Sequence, residues 1–279
     1  MIPFDFAYYK PTSIPEALET LDTVTRDGQK AMIFNGGTEF ITFARMNKIV
    51  ADAVIDIKGI PDCQVIEIQG DDLIIGSGVP LNKIAESGLF PLLGETVKQV
   101  ADHTSRNKIT IGGNLCSQLM YREGILPLLL ADARVKIAGK EGEMTLPLEE
   151  IFNMEITLHP NHFLVQIIID QAFANCPYVS LKKTRLSKIG YPLVSMAALE
   201  KDNRIRIAFS GLCEYPFRSL ALENSINETN LTVENRITKA LAHLPSSPVN
   251  DMLGSGVYRE FLCKRMLEEV IQGLMGGRS

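Results

Sequence analysis

One stretch near the N-terminus constrains the fold of this chain more than any other. Residues 31–34 are apolar, residues 35–39 read Asn-Gly-Gly-Thr-Glu, and apolar positions at helical spacing follow up to residue 46. The order strand, glycine loop, helix predicts an anion-binding loop, because glycine allows close backbone approach and the first helical turn leaves N–H groups unpaired. A simple chain reversal is the competing interpretation, and the stretch alone favours it.

A second glycine stretch changes that balance. Residues 110–114 read Thr-Ile-Gly-Gly-Asn, and two such loops could hold one diphosphate between them. Other phosphate-binding patterns are missing: residues 76–78 read Gly-Ser-Gly without the third glycine of a dinucleotide fingerprint. The sequence therefore predicts a clamp of two loops rather than a Rossmann site.

Length and charge narrow the class of protein. At 279 residues the chain is long enough for two or three compact units, and its net charge of −5 argues against a nucleic-acid-binding protein. The N-terminal residues show no signal-like pattern, and we find no apolar run of membrane-spanning length. We expect a cytoplasmic protein without a membrane segment.

No catalytic or metal-binding constellation stands out. The five cysteines are scattered singly, so neither zinc nor an iron–sulfur cluster is predicted, and we interpret Cys116 as a small buried hydrophobe rather than a reactive thiol. His159 and His162 indicate a polar turn more than a metal pair. If the chain takes part in a reaction, the chemistry belongs to a cofactor.

The periodicity predicts an α+β fold in three parts. A helix capped by Ser13, a β-α-β unit around the first glycine loop and two hairpins make an α/β-like half of two subdomains, residues 1–60 and 61–170. An α+β domain with an antiparallel sheet and helices follows over residues 171–279. Its last helix should bury one face, formed by Val257, Phe261, Leu262, Met266, Val270 and Leu274.

Four stretches together resemble a known family. They are residues 35–39, 105–107, 110–115 and 131–135, and their order and spacing resemble the FAD-binding medium subunit of the molybdenum hydroxylases, the family of xanthine dehydrogenase and carbon monoxide dehydrogenase. The resemblance covers essentially the whole chain. It implies FAD as the cofactor, held between the two N-terminal subdomains, with the first loop on the diphosphate and the second loop facing it.

The resemblance also implies a set of cofactor-binding residues. They are Ile33, Phe34, Asn35, Gly36, Gly37, Thr38, Glu39, Phe40, Ala101, Thr110, Gly113, Asn114, Glu123 and Lys182. Glu39 and Glu123 stand where many members carry aspartate. Lys182 would tune the flavin potential, and a solvated strand end is the equal alternative. We expect Gly37→Val to abolish FAD retention while leaving the fold largely intact.

The implied function is electron transfer without a catalytic residue or metal ligand on this chain. A molybdopterin-binding large subunit and an iron–sulfur small subunit would supply electrons, and FAD would pass them to NAD or another acceptor, with a xanthine dehydrogenase-like activity of the complex. One alternative is a self-contained FAD-dependent oxidoreductase of related fold. Another is a non-catalytic module that binds a nucleotide as a regulatory ligand.

Overall fold

The computed structural model of the chain describes residues 1–187 and 189–275. Its strands are β1 (Ala7–Tyr9), β2 (Ala31–Phe34), β3 (Ala53–Asp56), β4 (Ile66–Gln69), β5 (Asp72–Gly76), β6 (Arg134–Gly139), β7 (Gly142–Pro147), β8 (Phe152–Asn153), β9 (Glu155–Ile156), β10 (Phe163–Asp170), β11 (Tyr178–Thr184), β12 (Pro192–Lys201), β13 (Arg204–Ser210) and β14 (Phe217–Arg218). Its α-helices are α1 (Ile14–Arg26), α2 (Thr38–Arg45), α3 (Leu81–Ser87), α4 (Pro91–Lys98), α5 (His103–Arg106), α6 (Ile111–Leu115), α7 (Ile125–Leu130), α8 (Leu148–Ile151), α9 (Leu220–Ile226), α10 (Val233–Leu241) and α11 (Gly256–Met275).

The first compact unit contains both glycine stretches. It comprises Met1–Ile84, His103–Ser117 and Ala133–Ile169. Its two larger sheets have the strand orders β1-β3-β2 and β4-β5-β10-β6-β7. Strands β1 and β2 both run parallel to β3, so the predicted β-α-β unit is confirmed and the first glycine loop follows the carboxyl end of β2.

Apolar clusters pack against both faces of the three-stranded sheet at β2 and β3, whereas the edge strand β1 is exposed. Ile33 and Ile55 face a cluster that includes α1 residues, whereas Phe34 and Val54 face a cluster that includes Phe40 of α2. The alternation of side chains along a strand produces this division. With both faces covered, ligands have access to such a sheet at its edge, where the loops lie.

The second compact unit comprises Ala85–Asp102, Gln118–Asp132 and Asp170–Ser279. Its four-stranded antiparallel sheet has the order β11-β12-β13-β14. Apolar residues of β12 and β13 form one core with α9, α10 and α11. The predicted α+β class is confirmed, and α9 and β14 are elements that the sequence pattern did not reveal.

The predicted buried face of α11 is partly wrong. Val257 is 83% exposed and Phe261 is 49% exposed, whereas Arg259 is completely buried. The Arg259 guanidinium donates to the carbonyls of Leu193 (2.5 Å) and Gly211 (2.8 Å), and it pairs with Asp251 at 2.7 Å. These partners offset the cost of burying the charge, so the helix turns a cation inward where hydrophobicity alone predicts valine.

The three sheets just described lie within residues 1–60, 61–170 and 171–279, respectively. The division of the chain into three domains at these boundaries stays a prediction, and residues 188 and 276–279 of its third part lie outside the described residues. Within residues 1–187 and 189–275, no helix combines the length and the apolar character needed to cross a membrane.

Candidate cofactor-binding site

The first glycine loop ends in an uncapped helix terminus. Gly37 adopts φ = +72° and is the N-cap of α2, and no side chain caps this terminus within the described residues. Across the same residues, no protein acceptor is recorded for the N–H groups of Gly36, Gly37 or Thr38. Three donors and the positive end of the α2 dipole are therefore available to an anion.

Both glycines are needed for the loop itself. A Cβ at Gly36 would lie 1.9 Å from the carbonyl oxygen of Lys108, and a Cβ at Gly37 would lie 2.2 Å from the ring of Phe34. The left-handed φ of Gly37 adds a backbone penalty for any other residue. Gly37→Val would therefore strain the loop itself, and the expectation that it abolishes FAD retention while leaving the fold largely intact stays a prediction.

Asn35 joins the loop to the second sheet and leaves one acceptor unsatisfied. Its Nδ2 donates to the Ser77 carbonyl at 2.9 Å. Its Oδ1 is buried and has no hydrogen-bond donor within residues 1–187 and 189–275. A buried acceptor without a donor is costly, so a ligand hydroxyl or N–H at this point would be stabilising.

The second glycine stretch has a different structure. It forms the start of the short helix α6, and the N–H groups of residues 111–114 all donate to protein oxygens. Ile111 donates to the Val79 carbonyl (3.0 Å), Gly112 to the Ser77 carbonyl (2.8 Å), Gly113 to Thr110 Oγ1 (3.2 Å) and Asn114 to the Thr110 carbonyl (2.9 Å). The second stretch therefore differs from the first in having protein acceptors for these N–H groups, and its contact with the cofactor stays a prediction.

The three residues of the second stretch that were predicted to contact the cofactor differ in solvent exposure. Gly113 is exposed, whereas Thr110 is 3% exposed and Asn114 is 9% exposed. A Cβ at Gly113 would meet one neighbour, Thr110 Oγ1, at 3.0 Å. Gly113 therefore presents a smooth backbone surface, and the Thr110 hydroxyl caps the helix that holds it.

The two stretches are also joined through side chains. The Ser117 hydroxyl, just after α6, donates to the carboxylate of Glu39 in the first turn of α2. Glu39 is thus held by the protein. Cys116, beside it, is exposed, which corrects its interpretation as a buried hydrophobe, since α6 ends there and turns the side chain outward.

The aromatic members of the predicted set point into the protein. The ring of Phe40 packs edge-on against Phe34, with centroids 5.9 Å apart, and against Phe6 at 5.6 Å. Ile33 packs on the opposite face of the sheet. Phe40 is 8% exposed, so its side chain serves the core, whereas Ile33 and Phe34 are only partly buried.

Three polar residues beneath the first loop were not predicted. Lys58 Nζ donates to the Asn35 carbonyl (2.5 Å) and to Asp56 Oδ1 (2.7 Å), and Tyr8 donates to Asp56 Oδ2 (2.5 Å). Asp56 ends β3, so its place at the carboxyl edge of a parallel sheet was the available sequence signal.

The pKa values of this group follow from its contacts. Burial opposes ionisation of Asp56, but the hydrogen bonds from Lys58 and Tyr8 outweigh it and hold the pKa of that carboxyl below its usual range. The bond to Asp56, followed by burial and the carboxylate charge, raises the pKa of Tyr8 to about 12. Asp56 is therefore a carboxylate at neutral pH.

The remaining predicted residues belong to the second unit. Ala101 follows α4 with φ = +47°. Glu123 and Lys182 form an ion pair with Nζ and Oε1 3.3 Å apart, and their side chains are 7% and 5% exposed. Lys182 also donates to the Gln99 carbonyl at 2.6 Å. The alternative of a solvated strand end for Lys182 is wrong.

Comparison with known proteins agrees with this structure. The family profile of the FAD binding domain in molybdopterin dehydrogenase matches residues 4–171. The chain is 25% identical over 283 residues to the carbon monoxide dehydrogenase medium chain of Hydrogenophaga pseudoflava, covering 97% of each chain. It is 28% identical over 235 residues to caffeine dehydrogenase subunit beta of Pseudomonas sp. (strain CBB1), covering 80% of this chain and 78% of that one.

Among solved structures, carbon monoxide dehydrogenase from Hydrogenophaga pseudoflava, in a form lacking the Mo-pyranopterin moiety of its cofactor, superposes with a TM-score of 0.87. The identity is 24%, and the match covers 99% of each chain, which establishes the shared fold. Because the family profile covers more than half of the sequence, this chain belongs to the family of FAD-binding domains of the molybdopterin dehydrogenases, and its cofactor is FAD.

Proposed function

We propose that this chain is the FAD-carrying electron-transfer subunit of a molybdenum hydroxylase complex. In this proposal it receives electrons from the iron–sulfur clusters of a small partner chain, which are supplied by a molybdopterin-binding large subunit, and passes them to NAD or another acceptor in the cytoplasm. The observation that carries the proposal is the open N-terminus of α2 in a chain similar over 97% of its length to a medium chain of carbon monoxide dehydrogenase.

The residues of the first loop fit FAD. The N–H groups of Gly36, Gly37 and Thr38 suit the two negative charges of a diphosphate. The unsatisfied Oδ1 of Asn35 suits a hydroxyl donor, and a flavin nucleotide carries several. In this arrangement Gly113 admits the cofactor closely, and Thr110 keeps Gly113 in place.

FAD, when bound, supplies a centre that takes up and releases electrons singly or in pairs. The chain itself binds and orients it. The loop donors fix the diphosphate, whereas the inward aromatic rings of Phe34 and Phe40 hold the loop rigid. Because α2 starts at the loop, its dipole favours the bound anion without a lysine or arginine in the loop.

Glu123 and Lys182 form the second part of the proposal. We propose that this buried pair sets the electrostatic potential at the flavin, with Ala101 lining the cofactor. Lys182→Met would leave a carboxylate, disfavour the anionic reduced flavin and lower the reduction potential. Glu123→Gln would leave the cation and raise it.

Potentiometry on the two purified FAD-loaded variants tests this sign reversal. Shifts of opposite sign would support the proposal. Shifts of the same sign, or none, would refute a role of the pair in tuning, while circular dichroism checks that both variants are folded, since breaking a buried ion pair is destabilising.

The substrate of the complex is proposed to be xanthine or a related purine, because caffeine, which names the second relative above, is itself a purine.

The competing function is a self-contained FAD-dependent oxidoreductase. Turnover assays with xanthine, caffeine and carbon monoxide, on the chain alone and on the complex copurified from its native source, separate the two. Reduction of NAD by the complex alone supports the subunit function. Substrate turnover by the isolated chain, in a preparation without molybdenum or iron, would contradict it.

A further inference from the structure

The underside of the first loop is held by a cation. Lys58 lies in the short turn after β3, and its ammonium bridges the Asn35 carbonyl and the Asp56 carboxylate. Asp56 is 3% exposed and also accepts the Tyr8 hydroxyl, so three polar groups from outside the loop converge below it. No member of this trio belongs to the predicted cofactor set.

The contact with Asn35 fixes the orientation of a whole peptide group. In a trans peptide the carbonyl and the following N–H point in opposite directions. Because Lys58 binds the carbonyl of Asn35, the N–H of Gly36 must point away from Lys58. One hydrogen bond below the loop therefore determines where a donor lies above it.

The same ammonium supports the next residue through an aromatic ring. Lys58 Nζ lies 4.7 Å from the centroid of the Phe34 ring, and this ring occupies the space that a side chain at Gly37 would need. A cation over an aromatic face is attracted to it. Lys58 thus constrains both the peptide before Gly36 and the ring beneath Gly37.

We propose that Lys58 is a positioning residue, which together with Asp56 and Tyr8 keeps the first glycine loop in its FAD-binding conformation. Its charge is paired with the Asp56 carboxylate 2.7 Å away, so it acts through the loop rather than as the counter-charge of the diphosphate. This inference rests on the proposed binding of the diphosphate by the first loop.

The test is FAD titration of the apo-protein, followed by flavin fluorescence. Lys58→Met should weaken FAD binding by on the order of tenfold, as expected for loss of a charge-assisted hydrogen bond. Lys58→Arg, which keeps the charge and the donors, should recover most of the affinity. The NMR order parameters of the backbone amides of residues 35–38 in the apo-protein should also be lower in Lys58→Met than in the wild type.

Asp56→Asn separates positioning from direct charge. If Lys58 is a positioning residue, the weaker anchor should lower FAD affinity. If Lys58 is a counter-charge, removal of the competing carboxylate should raise it, and this result would overturn the inference. Unchanged amide order parameters in the apo loop of Lys58→Met, or an affinity within about twofold of wild type, would also overturn it.

Gly37→Ala tests the underlying function independently. If Gly37→Ala weakens FAD binding and Lys58→Met does not, only the inference about Lys58 fails. If neither does, the proposed role of the loop fails first. Should Lys58→Met not fold by circular dichroism, Asp56→Asn and Tyr8→Phe carry the test, and unaltered FAD affinity in both would overturn the inference.

Discussion

The two Gly-Gly stretches look alike in sequence and differ in structure. In the first, Gly37 adopts a left-handed conformation and the start of α2 has no side-chain cap within the described residues. In the second, Thr110 caps α6, and the carbonyls of Val79 and Ser77, in the segment after β5, accept the N–H groups of residues 111 and 112. The first stretch offers donors to a ligand, whereas the second has used its donors to build the protein.

The glycines of the two stretches also serve different needs. Gly36 and Gly112 allow two backbones to approach, because a Cβ at either would lie within 3 Å of backbone atoms of Lys108 or Ser77. Gly113 is exposed, and a Cβ there would meet only the Thr110 hydroxyl oxygen, at 3.0 Å. A glycine pair therefore indicates close approach of backbone, and the hydrogen bonds decide whether the partner is protein or ligand.

The largest expected effect comes from Gly36→Ala. Its Cβ would lie 1.9 Å from a carbonyl oxygen, and a backbone atom cannot move aside as a side chain can. We expect a loss of unfolding free energy of about 3 kcal/mol, at the upper end for overpacking. Gly113→Ala is the matched control and should leave stability within about 1 kcal/mol of wild type. Urea unfolding measures the stability of both variants. Equal unfolding midpoints would show that the space for a side chain is equally restricted at the two positions.

The next largest expected effect is that two threonine variants rank in opposite order in stability and in FAD affinity. Thr38→Val removes an exposed hydroxyl at the first position of α2, so stability should change by less than about 0.5 kcal/mol. We expect this hydroxyl, beside the open N–H groups, to donate to the diphosphate, so FAD affinity should fall roughly threefold to tenfold. Thr110→Val removes a helix cap, so stability should fall by about 1 kcal/mol with a smaller change in affinity. FAD titration and urea unfolding of both variants provide the measurements. The same ranking of the two variants in both assays would remove the distinction between the stretches.

The smallest effect is a pH dependence beneath the first loop. The folded-state pKa of Tyr8 is raised to about 12, so its contribution to stability is present below the unfolded pKa near 10 and is lost as the pH rises towards 12. The stability difference between wild type and Tyr8→Phe should therefore be constant up to about pH 10 and shrink above it. Urea unfolding from pH 8 to 11 measures this, with Tyr9→Phe as the control. A difference that grows above pH 10 would contradict the assigned bond to Asp56.

The sequence could predict the helices and strands around the site, but not whether their backbone N–H groups already have hydrogen-bond acceptors in the protein. The order of β2, α2 and β3 follows from local periodicity and the glycines at residues 36 and 37. Whether the N–H groups at 111 and 112 are open depends on the carbonyls of Val79 and Ser77, which are distant in the chain.

The same limit applies to the charged residues. Lys58 meets Asn35 only after β2 and β3 have paired, and Glu123 meets Lys182 only in the folded second unit. The local sequence pattern predicts that such charged residues are exposed to solvent. Arg259 in α11 is the clearest case, because hydrophobic periodicity gave its buried place to Val257.

Amide hydrogen exchange of the full chain, with and without FAD, tests the central claim most directly. The account predicts rapid exchange at Gly36, Gly37 and Thr38 in the apo-protein and strong protection of these three amides by FAD. It predicts that the amides of residues 111, 112 and 114 are already protected without the cofactor. Rapid exchange at residues 111–114 in the apo-protein, with protection by FAD there and none at residues 36–38, would contradict it.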